Sequence, residues 1–163
     1  MKLGVISDTH GNVLRTRRAL EIFKERQVTE ILHCGDVGSK QIVEILSEIP
    51  TFYVYGNTDA RSFLRAGILH LGERQQVCCE TVGMLAREGR QIVFLHGNDW
   101  QLFDDLLTSQ RYDLICSGHT HEAHWEIQGK TYLLNPGALE RTPSPSVAVL
   151  TLPEMRVEHI RVL

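Results

Sequence analysis

Carboxylate, carboxamide and imidazole side chains recur in five short polar stretches of this 163-residue chain: Asp8-Thr9-His10, Gly35-Asp36, Gly56-Asn57-Thr58-Asp59, His96-Gly97-Asn98 and Gly118-His119-Thr120-His121. Such side chains coordinate borderline divalent cations. Each stretch follows an apolar run with the composition of a buried strand, so the donors fall where strands end at a cleft. Asp8 and His10 are two residues apart, as are His119 and His121. If the chain stays extended, such a pair projects from one side and can grip one ion.

Singly, each fragment has a plainer reading. Asp8 and His10 suit a loop and a surface, Asp36 an Asx turn, and Asn57 after Gly56 ordinary turn chemistry. His96, His119 and His121 shift the balance, because neutral imidazole is the commonest side-chain ligand for these metals and all three stand at apparent strand ends. His33 lies inside its strand and reads as a core residue or a support for a ligand.

The apolar pattern predicts the elements that carry these ends. Strands are expected over 3–7, 31–34 and 52–55, with helices over 13–26 and through 47 between them, and Asn12 and Ser39 in N-cap position. Val13, Thr16, Leu20 and Phe23 share one helix face; Ile42, Ile45, Leu46 and Ile49 point inward from the second. Strand–helix–strand alternation makes the first three strands parallel.

Further on, 76–86 and 90–95 read as a hairpin about Glu88-Gly89-Arg90. A helix over 99–109, with Leu102, Phe103, Leu106 and Leu107 inward, leads to a strand over 114–116, and Trp100 with Phe103 reads as core packing ahead of the border of a substrate pocket. Only strands follow, over 124–128, 131–134, 147–152 and 156–162. Parallel units early and hairpins late predict an α/β chain with two mixed β-sheets under outer helices, a four-layer αββα sandwich forming one domain over residues 1–163.

Composition narrows the function. A net charge of -3 argues against a surface built for nucleic acid, and Arg15, Arg17, Arg18 and Arg26 on the first helix read as a solvated face. Cys34, Cys78, Cys79 and Cys116 lack CxxC spacing and suit reduced core thiols. The first polar stretch arrives too soon for a cleavable signal and no apolar run is long enough to cross a bilayer, so the cytoplasm is the expected compartment. His70, His124 and His159 read as bland surface or strand residues, with His124 near enough to the last stretch to line a cleft.

In this order the motifs D-x-H, G-D, G-N-x-D, H-G and G-H-x-H resemble those of the calcineurin-like metallophosphoesterases, in particular the small YfcE-like phosphodiesterases, from Asp8 to Asn135-Pro136-Gly137. The resemblance implies the same sandwich and two adjacent cation sites. Asp8, His10 and His121 would hold one ion, Asn57, His96 and His119 the other, and Asp36 would bridge them. Manganese comes first, with iron, zinc, nickel or cobalt as alternatives that ligand type does not separate. Such a pair acidifies a shared water for in-line attack on a small phosphodiester, with Asn57 helping to orient the phosphate and Asp59 supporting the ligand loop. A homo-oligomer is compatible with this reading and a membrane is not required.

One position departs from many relatives, which carry His where this chain has Thr58. A hydroxyl is too weak an acid to protonate a leaving group at neutral pH, and such help is worth roughly 10²–10⁴-fold. Esters with good leaving groups are therefore expected. Two rival readings are a non-catalytic scaffold like VPS29 of the endosomal retromer, and the same chemistry on nucleic acid, nucleotide or phosphoprotein. Metal content and turnover discriminate the first.

Overall fold

The computed structural model describes residues 1–60, 65–68 and 75–163. Its strands are β1 Lys2–Ile6, β2 Glu30–His33, β3 Thr51–Tyr53, β4 Gln76–Cys78, β5 Val82–Arg87, β6 Arg90–Leu95, β7 Leu114–Cys116, β8 Ala123–Gln128, β9 Thr131–Pro136, β10 Ser146–Thr151 and β11 Arg156–Arg161. Helices α1 Val13–Glu25, α2 Lys40–Leu46 and α3 Trp100–Thr108 accompany them.

The strands form two mixed sheets, one in the order β11-β10-β1-β2-β3-β4 and the other β5-β6-β7-β9-β8. Between them, Leu3, Val5, Leu32, Phe94, Cys116 and Leu150 belong to one buried cluster. On the far side of the first sheet, Leu20 and Phe23 of α1 and Ile42 and Leu46 of α2 pack on Ile6, Ile31 and Tyr53. Leu102, Phe103, Leu106 and Leu107 of α3 cover Val93, Leu95, Ile115 and Leu133 of the second sheet. These layers make the αββα sandwich that the element order predicts.

Local chemistry starts the helices where the sequence places them. Asn12 accepts the Arg15 N–H at 3.0 Å and Asp99 accepts the Leu102 N–H at 3.0 Å, caps worth about 1 kcal/mol each. Ser39 occupies the N-cap position of α2 without bonding through its side chain. Arg18 of α1 pairs with Glu21 at 3.0 Å, and Arg26 just after the helix binds both oxygens of Glu158 at 2.9 and 3.1 Å.

Two sequence expectations are corrected. The run over 76–86 is not one strand: it breaks after β4, which lies parallel to β3 in the first sheet, and resumes as β5 in the second. Glu80 turns the chain there with φ 62, a reversal invisible to apolar periodicity. Trp100 is not core; it opens α3 at 67% exposure because only the face carrying the leucines and Phe103 meets the sheet. His70 lies outside the described residues. Among the described residues no helix is long and apolar enough to cross a membrane.

Register positions the site. Ile6 pairs with His33 and His33 with Tyr53, so β1, β2 and β3 end level; Phe94 pairs with Cys116, levelling β6 and β7. Asp8, Asp36, Asn57, His96 and His119 all follow within a few residues of those ends. Ligand sites form at the carboxyl ends of strands in open α/β sheets, and the five polar stretches meet at that edge.

Candidate metal centre

The stretches are stitched to one another by backbone. Asp8 N–H donates to Gly35 O at 3.0 Å, His10 N–H to Asp36 O at 2.9 Å, Gly11 N–H to Val37 O at 3.0 Å and Gly118 N–H to His96 O at 2.9 Å. Gly56 allows a close approach: a Cβ there would stand 2.0 Å from Asp36 Oδ1.

The extended geometry expected for Asp8-x-His10 and His119-x-His121 is not what the chain adopts. Asp8, His10, Asp36, His119 and His121 have φ between 43 and 67, in the left-handed region. Five of the seven candidate ligands are therefore strained, at about 1 kcal/mol each, in a conformation that Asp and His tolerate better than most residues. Strain of this kind clusters at functional sites.

Ligand atoms converge despite the different backbone. One oxygen or ring nitrogen from each of Asp8, His10 and His121 lies within 4.8 Å of the others, and the same holds for Asp8, Asp36 and His96. His10 Nε2 is 3.8 Å from Asp8 Oδ1 and 3.6 Å from Asp36 Oδ2; His96 Nε2 is 3.6 Å from Asp36 Oδ2 and 3.0 Å from Asn57 Oδ1. His121 Nε2 stands 3.1 Å from Asp8 Oδ1. His119 joins neither close group, although its ring meets that of His96 edge-on with centroids 5.0 Å apart.

Electrostatics sets which atoms are free to donate electrons. Burial alone would raise the Asp36 carboxyl, but the Thr58 backbone N–H at 2.9 Å, the His96 ring, the Thr58 hydroxyl and His10 outweigh it and hold the group ionised below the ordinary carboxylate range. Burial holds His10 below the ordinary imidazole value against the pull of Asp36, and its buried Nε2 has no hydrogen-bond partner. Asp8 is fully buried, with Oδ2 accepting from Ser7 Oγ at 2.6 Å and the His119 N–H at 3.1 Å, which leaves Oδ1 facing the imidazoles.

His96 faces Cys34 O at 2.8 Å through Nδ1 and Asn57 Oδ1 through Nε2; His121 faces Arg141 O at 3.3 Å through Nδ1 and Asp8 Oδ1 through Nε2. A neutral imidazole has one N–H, so with Nδ1 donating to a carbonyl each Nε2 turns a lone pair toward an oxygen lone pair. Electron-rich atoms arranged this way fit a shared cation, and a carbonyl behind the second ring nitrogen is how metal-binding imidazoles are oriented. The donor set and the orphaned His10 Nε2 suit hard-to-borderline divalent ions.

Further residues brace the loops that carry the candidate ligands. Asp59 takes three backbone N–H groups, from Gly56, Val37 and Gly38, rather than bonding an imidazole. Asn135 donates from Nδ2 to Gly118 O at 2.8 Å and Thr120 Oγ1 at 3.0 Å, bracing the loop of His119 and His121. His159, read as bland, hydrogen-bonds Asn135 O at 2.8 Å. His124 is exposed and pairs with Glu126 at 3.2 Å. His33 is fully buried on Tyr53; Thr9 gives its hydroxyl proton to Val37 O at 2.9 Å, so His33 Nε2–H donates to Thr9 Oγ1 at 3.0 Å and Nδ1 has no partner.

Carboxylates, an amide and imidazoles at the strand ends of an αββα sandwich define a metallophosphoesterase. The calcineurin-like phosphoesterase superfamily domain matches residues 1–155, and the chain belongs to that family. It is similar to phosphodiesterase MJ0936 of Methanocaldococcus jannaschii, 28% identical over 140 residues covering 84% of this chain and 83% of that one. Phosphodiesterase YfcE of Escherichia coli is 29% identical over 160 residues, covering 85% and 79%. Among solved structures, an archaeal phosphodiesterase superposes with TM-score 0.91 at 25% identity over 99% of both chains.

Proposed function

We propose that this chain is a two-metal phosphodiesterase acting as one domain on small diesters, in which Asp8, His10 and His121 hold one divalent cation, Asn57, His96 and His119 a second, and Asp36 bridges the two. The observation that carries this reading is the convergence of Asp8 Oδ1, Asp36 Oδ2, Asn57 Oδ1 and the Nε2 atoms of His10, His96 and His121 in one cluster, with His10 Nε2 left buried and without a hydrogen-bond partner. Bound there, two cations supply an acidified water for in-line attack on phosphorus and neutralise charge on the phosphoryl oxygens.

The chain's own residues do the rest. Thr58 keeps Asp36 ionised and fixed. Asn57 stands exposed at the rim, where its amide N–H groups can turn to a phosphoryl oxygen while its carbonyl faces His96. With the Thr58 hydroxyl bonded to Asp36, that position offers no proton of useful acidity to the departing oxygen, so aryl esters, which leave as stable anions, are favoured. Manganese is the first metal to try, and four free thiols suit a reducing cytoplasm.

The test is hydrolysis of bis-p-nitrophenyl phosphate by metal-stripped protein with manganese restored. Turnover is expected to return with the metal and to fall in Asp36→Asn and His96→Ala by more than the roughly 10–100-fold that loss of an outer-shell partner costs. No manganese-dependent turnover, as a VPS29-like scaffold would give, or equal turnover in both variants refutes the reading.

A further inference from the structure

A cavity of about 360 Å³ opens beside the metal-ligand cleft, between the first turn of α3 and the β8–β9 hairpin. Trp100 and Phe103 form an aromatic wall, their rings edge to face with centroids 6.4 Å apart, and Leu133 supplies an apolar floor. Gly97, Gly118 and Thr120 make the side toward the candidate ligands, each the chain neighbour of His96, His119 or His121. A Cβ on Gly118 would stand 2.7 Å from Asp8 Oδ2, so the loop that lines the cavity is packed directly against a candidate ligand residue.

Trp100 is 67% exposed although α3 is held to its sheet by the leucines and Phe103. The fold therefore gains little from an indole at that position, and the ring faces the cavity. Glu122 and Glu126 stand on the opposite side. Their charges oppose an anionic group in the cavity, while the aromatic wall and apolar floor favour a flat uncharged one.

We propose that this cavity receives one organic arm of the substrate, an uncharged aryl or heteroaryl group packed against Trp100. The proposal rests on the metal-site reading: with the phosphorus at the ligands, the arm extends over the rim formed by Gly97 and Thr120 into the cavity. Its volume falls in the ordinary range for small-molecule sites. An anionic arm, such as the polyphosphate of a nucleotide, is disfavoured by the two glutamates.

Manganese-loaded protein is titrated calorimetrically with phenylphosphonate and with methylphosphonate, which share a headgroup and are not hydrolysed. Phenylphosphonate is expected to bind about tenfold more tightly, as apolar pocket contacts allow. The gap narrows to about twofold in Trp100→Ala and also in Trp100→Gln, an independent variant with a helix-favouring side chain; Trp100→Phe retains most of it. Equal affinities in the wild type, or a tenfold gap that survives in either small-side-chain variant, overturn the cavity assignment. If neither probe binds with manganese present, the metal reading fails and this proposal fails with it.

Discussion

Replacing Asp59 by alanine deletes three hydrogen bonds at once. Oδ2 accepts the Gly56 N–H at 2.9 Å and the Val37 N–H at 3.2 Å, and Oδ1 accepts the Gly38 N–H at 3.0 Å. The side chain thus fastens the loop after β2, which carries Asp36, to the loop after β3, which carries Asn57. At about 1 kcal/mol net per bond, full loss amounts to about 3 kcal/mol. The Gly38 contact is exposed and water replaces it, so Asp59→Ala is expected to destabilise by about 2 kcal/mol. Asp59→Asn keeps one carbonyl oxygen for the Gly56 and Val37 donors and turns an amide NH₂ toward Gly38 N–H, so it should cost about half as much.

Urea unfolding at constant slope measures both steps, and calorimetric titration with manganese measures the consequence for the site. Loosening the link between the two loops should weaken manganese binding by about 10–100-fold in Asp59→Ala. If that variant lies within about 0.5 kcal/mol of wild type, the scale of an ordinary surface substitution, or if Asp59→Asn is no better than Asp59→Ala, the clamp is not what holds the loops together.

Three further outcomes are expected. Gly118→Ala would place a Cβ 1.8 Å from Ser7 Oγ and should cost about 1–3 kcal/mol by overpacking while weakening manganese binding; an unchanged Tm and affinity refute the close approach. Thr58→His should raise turnover of alkyl diesters at least about tenfold relative to aryl ones with metal retained, and no gain in that ratio removes the missing acid as the cause of the preference. Burial, with His96 and His10 adding to it and Asp36 opposing, lowers His33 from 6.5 to about 3, so the unfolded chain takes up this proton first. Stability from this residue is complete above pH 6.5 and falls by up to about 1.4 kcal/mol per pH unit from there toward pH 3; urea unfolding of His33→Gln should lack that part of the slope, and equal slopes refute it.

Much of the fold was legible because helix and strand periods are local. The face of α1 reads directly from Thr16, Leu20 and Phe23, and Asn12 caps it as its residue type suggests. Where the reading failed, the deciding contacts lay elsewhere in the chain. Glu80 breaks the run between β4 and β5 because Tyr55 N–H donates to Glu80 O at 2.6 Å and Cys79 N–H to Tyr53 O at 2.8 Å, which keeps the first half on β3. Nothing in residues 76–86 alone states that preference. Trp100 was misread for a related reason: an indole at the start of an amphipathic helix looks like core until the sheet shows how little of that first turn it covers.

At the candidate site the residue types were legible and the backbone was not. Two-residue spacing suggested extended chain, but Asp8 and His10 are both left-handed around a buried Thr9 whose hydroxyl is bonded to Val37 O and His33. Their ligand atoms converge because Asp8 N–H, His10 N–H and Gly11 N–H bond in turn to Gly35, Asp36 and Val37. Those bonds offset strain of roughly 1 kcal/mol per residue, and they come from a loop more than 20 residues away. The same holds for His119, whose N–H reaches back to Asp8 Oδ2 across 111 positions. A local pattern records which side chains can ligate, whereas the conformation that aims them is imposed by partners the pattern does not contain. Asn135, which holds the loop of His119 and His121 and touches none of the candidate ligand atoms through its own side chain, is for that reason a residue whose role only the folded chain assigns.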